Sequence, residues 1–173
     1  EMIAGLRLAG IDVVSTANNH ARDCGGYGLE YTIEWLERNG IAAVGTGRNE
    51  AETRRGVVLE RNEIRFGFLG YTYDQSNGNH PASDPRVAVL DLARMQEDVG
   101  GLRERCDVVI VSMHAGAEYL VRQNEQQARF ARAAVDAGAR VVVGHHPHVV
   151  QPVERYAGGV IFYSLGNLVF DQF

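Results

Sequence analysis

Residues 106–148 alternate in a way that few folds accommodate. The run CDVVIVSMH is apolar almost throughout, NEQQARFARAAVDAG carries apolar residues at helical spacing and stops at a glycine, and ARVVVGHHPH is apolar again. Strands with no polar alternation have both faces buried, so a strand–helix–strand order of this kind predicts an α/β fold with helices on both faces of the sheet. Upstream, residues 2–9 predict a short helix and IDVVSTA (11–17) a buried strand. YGLEYTIEWLERNG sets Leu29, Ile33 and Leu36 on one helical face and ends at Gly40. IAAVGTG reads as a short strand running into a glycine loop. GVVLERNEIRFGFLGYTY reads as a hairpin turning at Arg61–Asn62, which makes the sheet mixed. DQSNGNHPASDP (74–85) has surface-loop composition, VAVLD precedes a helix over about 91–105, and GVIFYSLGN is a last strand. No repeat, low-complexity tract or linker interrupts residues 1–173, which predict a single domain. The pattern starts and stops abruptly, as expected of a domain truncated at both ends.

Composition removes several function classes. The net charge of −5 opposes general nucleic-acid binding, which needs a basic face. All 17 basic residues are arginine, so lysine Schiff-base chemistry and a lysine-bearing phosphate loop are excluded. Cys24 and Cys106 form no CxxC and read as separate thiols rather than a disulfide framework or zinc ribbon. No apolar run approaches a membrane span, so a membrane would be reached only through segments outside this sequence.

The polar chemistry gathers where strands end, the place where ligands bind in open α/β sheets. One strand exits into Asn18, Asn19 and His20, a second into His114, and a third into His145, His146 and His148. His80, in the polar loop, reads as a solvated residue. Any one of these exits is explained as well by turn hydrogen bonding, since asparagine caps helices and tolerates left-handed backbone. Three exits sharing one chemistry point to a common site. In HPH, the proline predicts an extended His146, so His146 and His148 are expected to face the same way with α-carbons roughly 6–7 Å apart. His145 is then expected to face the other way in a structural or supporting role. Neutral imidazoles with an asparagine oxygen suit manganese, zinc or iron, and the absence of a nearby thiolate argues against a structural zinc knot.

The segments DVVSTANNHARDCGGYG, VSMHAGAEY, GHHPHVVQPVE and FYSLGNLVFD together resemble the poly-γ-glutamate capsule-synthesis (CapA-like) family of the calcineurin-like metallophosphoesterase superfamily. The resemblance runs from about residue 10 to the C-terminus. It rests on N-H-x-x-D-x-G-x-x-G (Asn19, His20, Asp23, Gly25, Gly28), on H-x-G-x-E-Y, and on G-H-H-P-H. It implies a four-layer α/β/β/α sandwich with mixed sheets, here lacking its N-terminal strand region, and a site for two divalent ions (Mn, Zn or Fe) in the full-length protein. On that likeness Asn19, His114, His146 and His148 are metal ligands, and His20 assists the leaving group with Asp23 orienting it. Asn18, His145, Glu118, Tyr119, Ser164 and Asn167 stand for substrate contact, support of the ligands or turn hydrogen bonding. The superfamily often has an acidic residue after Asn-His, where this chain has Ala21.

The function implied is a metal-dependent, phosphoesterase-like hydrolase in capsule biosynthesis. It would act on poly-γ-glutamate or a phosphoester alongside other capsule-synthesis proteins, with the domain of a bacterial, membrane-anchored protein held outside the cytoplasm. The alternatives are a non-catalytic polymer-binding or scaffold module, and a phosphoesterase of unrelated physiology. The family's Gly-Asp strand end and Asn-Leu-Glu segment have no counterpart here, which leaves the site short of a carboxylate ligand. This stretch of chain is therefore expected to hold metal weakly or at one position. Metal analysis after dialysis should find fewer than two ions per chain, and two tightly held ions would overturn that expectation.

Overall fold

The computed structural model describes residues 2–73 and 86–169; the polar stretch 74–85, with His80, and residues 170–173 lie outside the described residues. Strand β1 (Val13–Ser15) follows helix α1 (Met2–Leu8) and pairs in parallel with β2 (Ala42–Val44) across helix α2 (Gly25–Arg38). A one-turn helix, α3 (Glu50–Arg54), leads into the hairpin β3 (Val57–Arg61) and β4 (Ile64–Thr72). Helix α4 (Leu92–Arg103), β5 (Val108–His114), α5 (Glu125–Ala137), β6 (Val141–His145), β7 (Val153–Tyr156) and β8 (Gly159–Phe162) complete the order. The larger sheet runs β3-β4-β5-β6-β8-β7, parallel through β4, β5, β6 and β8 and antiparallel at both edges.

The hairpin turn sits one residue later than the sequence suggests. Asn62 and Glu63 take φ of 52° and 65°, and Arg61 stays in the ladder opposite Ile64. Two successive left-handed residues make the two-residue turn whose twist matches the flanking strands. Asn62 suits its first position, and Arg61 is held back by a 2.8 Å ion pair to Asp12. Strand β7 and helix α3 have signals too short to separate from their surroundings: four and five residues, respectively.

Burial explains the layers. Along β5, Val109, Val111 and Met113 are buried while Ile110, Ser112 and His114 are only half-buried. The buried set packs against Met95, Val99 and Leu102 of α4 and Phe130, Ala131 and Ala134 of α5. Helices therefore cover one face of the larger sheet, not both. The other face meets the small β1–β2 sheet, and close backbone approach is what permits it. A Cβ on Gly45 would fall 2.7 Å from the Gly70 carbonyl oxygen, and one on Gly70 would fall 2.9 Å from Ser15 Oγ. Helix α2 closes the far side with buried Leu29, Ile33 and Leu36, the first two packed with Ala17 and Val87. The result is the α/β/β/α sequence of layers. The VAVLD stretch stitches the two sheets together, Val87 bridging to Thr46 and Val89 to Thr72.

Helix ends are set by local chemistry. Asp91 accepts from the Arg94 amide to start α4. Asn124 and Gln127 form a reciprocal capping box on α5, which Gly138 terminates at a φ of 118°.

Strand β6 approaches the end of β8 so closely that Gly144 has no room for a side chain. A Cβ there would lie 1.9 Å from the Tyr163 carbonyl oxygen, a backbone atom that cannot rotate away. Gly144→Ala is expected to destabilise the fold by about 3 kcal/mol, a fall of roughly 6–12 °C in Tm. Thermal unfolding followed by circular dichroism checks this, and an unchanged Tm would contradict the close approach.

Candidate metal-binding and catalytic site

Four strands deliver polar groups to one edge of the structure. Parallel register sets Thr72 of β4 beside His114 of β5, and His114 beside His145 of β6. The backbone beyond stays tied together: Tyr73 N–H donates to the His114 carbonyl, and Ala115 N–H to the His145 carbonyl. His114 and His145 thus lie on the same sheet face.

The segment after β1 folds over this edge. Asn18 Oδ1 accepts the His20 amide at 2.8 Å, a local turn bond that leaves Asn19 pointing inward and buried. Asn19 Oδ1 lies 2.8 Å from His114 Nε2, and its Nδ2 lies 3.1 Å from His20 Nε2. His20 Nδ1 is 2.8 Å from Asp23 Oδ2, with both side chains largely exposed. These partners assign the protons. Asn19 Nδ2 donates to His20 Nε2, so His20 Nδ1–H donates to Asp23, and His114 Nε2–H donates to Asn19 Oδ1.

The HPH loop is not extended. His146 has φ of 99° and His148 φ of 60°, both left-handed. Proline excludes the right-handed helical region for the residue before it, but histidine is one of the residues enriched at positive φ. The two reversals curl the loop back, and strand alternation no longer decides where the rings point. His146 is buried, its ring centroid 4.9 Å from that of His114 and 6.3 Å from that of His148. His148 Nδ1–H donates to Asn167 Oδ1 at 2.9 Å, which leaves Nε2 as its basic nitrogen. The Tyr119 ring stacks on His148 at 5.9 Å, and its amide donates to the Pro147 carbonyl at 2.8 Å.

The sequence-derived residues thus fall into one connected set of Asn18, Asn19, His20, Asp23, His114, His145, His146, His148, Tyr119 and Asn167. Glu118 is exposed on the neighbouring loop, and Ser164 accepts from the Gly166 amide, a turn bond. Cys24 and Cys106 are free thiols. Tyr73 was missed by sequence reasoning. Its hydroxyl lies 3.2 Å from His146 Nε2, and its signal was a strand exit without a histidine.

Burial pushes the His114 imidazole down to about 3, with the nearby His146, His145, His148 and His20 adding to the effect. Burial also lowers His145. A neutral imidazole keeps a lone pair for a cation, and imidazole nitrogen with amide oxygen suits a divalent ion. Asp23 is engaged with His20, and among the described residues no group of three or more His, Cys, Asp or Glu is gathered to hold a metal. The residues present thus offer imidazole nitrogens and an amide oxygen, donor types that suit a divalent ion, without gathering into a metal-holding group among the described residues.

The same burial predicts a pH dependence. The unfolded chain takes up a proton near 6.5, whereas folded His114 resists until about 3. The unfolded state binds more protons throughout that window, so stability falls as pH drops from 6.5 towards 3 and is fully present above it. Urea unfolding is expected to show a lower midpoint at about pH 4.5 than at pH 7. His114→Asn should flatten that difference, and an unchanged slope would contradict the assignment.

Comparison with known proteins places this geometry. Residues 1–172 match the family model described as Bacterial capsule synthesis protein PGA_cap. The chain is 37% identical over 175 residues to the PGA biosynthesis protein CapA of Bacillus subtilis (strain 168), covering 99% of this chain and 46% of that protein. It is 36% identical over 180 residues to the capsule biosynthesis protein CapA of Bacillus anthracis, covering 99% of this chain and 43% of that protein. The chain thus spans a little under half the length of these curated relatives. In fold it is similar to a putative 5'-nucleotidase from Staphylococcus aureus, with a TM-score of 0.62 at 15% identity, covering 95% of this chain and 34% of that one. The architecture is of the metallophosphoesterase type, and the chain belongs to the bacterial capsule synthesis protein PGA_cap family.

Proposed function

We propose that this chain supplies the histidine-rich part of a metal-assisted hydrolytic site, in a protein of poly-γ-glutamate capsule biosynthesis that acts on a phosphoester or on the polymer's own acyl linkages. The observation that carries this reading is the gathering of Asn19, His20, His114, His146 and His148 at one edge of the sheets. Asn19 Oδ1, His114 and His146 would hold one divalent ion and His148 would contribute to a second. Mn, Zn and Fe suit these donors. Such an ion, when bound, polarises the scissile group and lowers the pKa of water.

The chain's own residues do the rest. Asn19 holds His20 by its Nε2, and Asp23 holds the other ring nitrogen, so the imidazole is fixed at both ends. To protonate a departing oxygen, His20 would have to turn its Nε2 away from Asn19 with a proton on it, while Asp23 keeps hold of Nδ1–H. Asn167 keeps the His148 proton on Nδ1 and its lone pair on Nε2.

A polymer-binding or scaffold role is the second reading, favoured because no group of three or more His, Cys, Asp or Glu that could hold a metal is gathered among the described residues. Assays of the full-length protein on phosphomonoesters, phosphodiesters and γ-glutamyl peptides with added manganese or zinc separate the two. Hydrolysis is expected, and its absence on all three substrate classes would favour the scaffold. In the full-length protein His20→Ala should lower turnover by about 10²–10⁴ with metal content unchanged. If metal and activity are lost together, His20 is a ligand instead.

A further inference from the structure

Two buried glutamines stand outside the candidate site. Gln127 and Gln151 are 0% and 2% exposed, and each spends its amide on specific partners. Gln127 Nε2 donates to Gln151 Oε1 at 2.9 Å and to the Tyr163 carbonyl at 3.3 Å, while its Oε1 accepts from the Asn124 amide at 2.9 Å. Gln151 Nε2 donates to the Leu120 carbonyl at 2.8 Å and the Arg122 carbonyl at 3.1 Å. The Gln151 amide N–H donates to the Ser164 carbonyl at 3.1 Å.

Such a network costs the burial of several polar groups and is tolerated only when each is satisfied. Helix capping explains the half of it at Gln127, since that residue closes the capping box on α5. It does not explain Gln151, whose donors reach a different loop. That loop carries Tyr119, a non-glycine residue held at φ of 62° directly before Leu120. Left-handed backbone of this kind is strained for a tyrosine and persists only where surrounding contacts impose it. Gln151 also lies three residues after His148, the ring on which Tyr119 stacks.

We propose that Gln151 is a positioning residue: its carboxamide clamps the 120–122 backbone so that Tyr119 lies against His148 and holds that imidazole in the orientation set by Asn167. It acts through Tyr119 and touches no reacting group. The link to metal binding rests on the reading of His148 as a ligand, whereas the clamp itself does not.

The test compares two near-isosteric variants. Gln151→Met removes both donors to the loop, and Gln127→Met removes the neighbouring half of the network while sparing them. Histidine-selective NMR of this chain reads the ring-current shift that Tyr119 imposes on His148, with Tyr119→Leu giving the value for a missing ring. Gln151→Met is expected to move the His148 signal to the Tyr119→Leu value, and Gln127→Met to leave it in place. If both variants leave the signal unmoved, or both move it alike, the clamp is refuted. Should Gln151→Met not fold, Gln151→Asn, one methylene shorter, provides the same readout. Titration of the full-length protein with Mn²⁺ is expected to show about 10–100-fold weaker binding for Gln151→Met. If His148→Asn leaves Mn²⁺ affinity unchanged while the NMR difference persists, the ligand reading falls and the clamp stands.

Discussion

The parallel register of β4, β5 and β6 is the constraint on which the site depends. It sets Thr72, His114 and His145 level with one another, so the chain leaves all three strands at one edge. The candidate site is then built from segments that have already been brought close together. The register is held by the packing of α4 and α5 on one face and by the approach of Gly45 to Gly70 on the other. A slip of one residue would turn Val109, Val111 and Met113 away from the helices, so core burial and site geometry are enforced by the same contacts.

Desolvation gives that edge its chemical character. His114 sits in a region too poorly solvated to welcome charge, and the imidazoles near it would repel its proton further if charged. His114 is kept neutral, and asparagine oxygens rather than carboxylates accept the ring protons of His114 and His148. The one prominent carboxylate, Asp23, serves the exposed His20. The histidines are thereby divided between a dry interior, with His114 and His146, and a wet rim, with His20.

Much of this was legible in the sequence because it depends on periodicity. The valine runs of β5 and β6, the helical face of α2 and the glycine that ends α5 each leave a local signature, and the strand-exit rule singled out Asn19, His20, His114, His146 and His148, which the structure brings to one edge. What was not legible depends on backbone conformation and on contacts distant in sequence. The left-handed geometry of His146 and His148 defeats a rule based on extended chain, and the Asn62–Glu63 turn displaced the expected one by a residue. Tyr73 and Gln151 have no motif of their own; only the meeting of β4, β6 and the 120–122 loop gives them partners. Apolar strands likewise do not reveal whether a helix or a second sheet will cover them, which is why helices were expected on both faces.

The left-handed backbone at His146 and His148 bears on how the site tolerates change. Elsewhere in a protein, alanine is the neutral probe of a side chain. At these positions it would remove a ring and also place a methyl-bearing residue where the backbone favours glycine, asparagine or histidine. The loop thus filters its own replacements. Glycine or asparagine would suit that backbone as well as histidine does, so the local geometry does not depend on the imidazoles it carries.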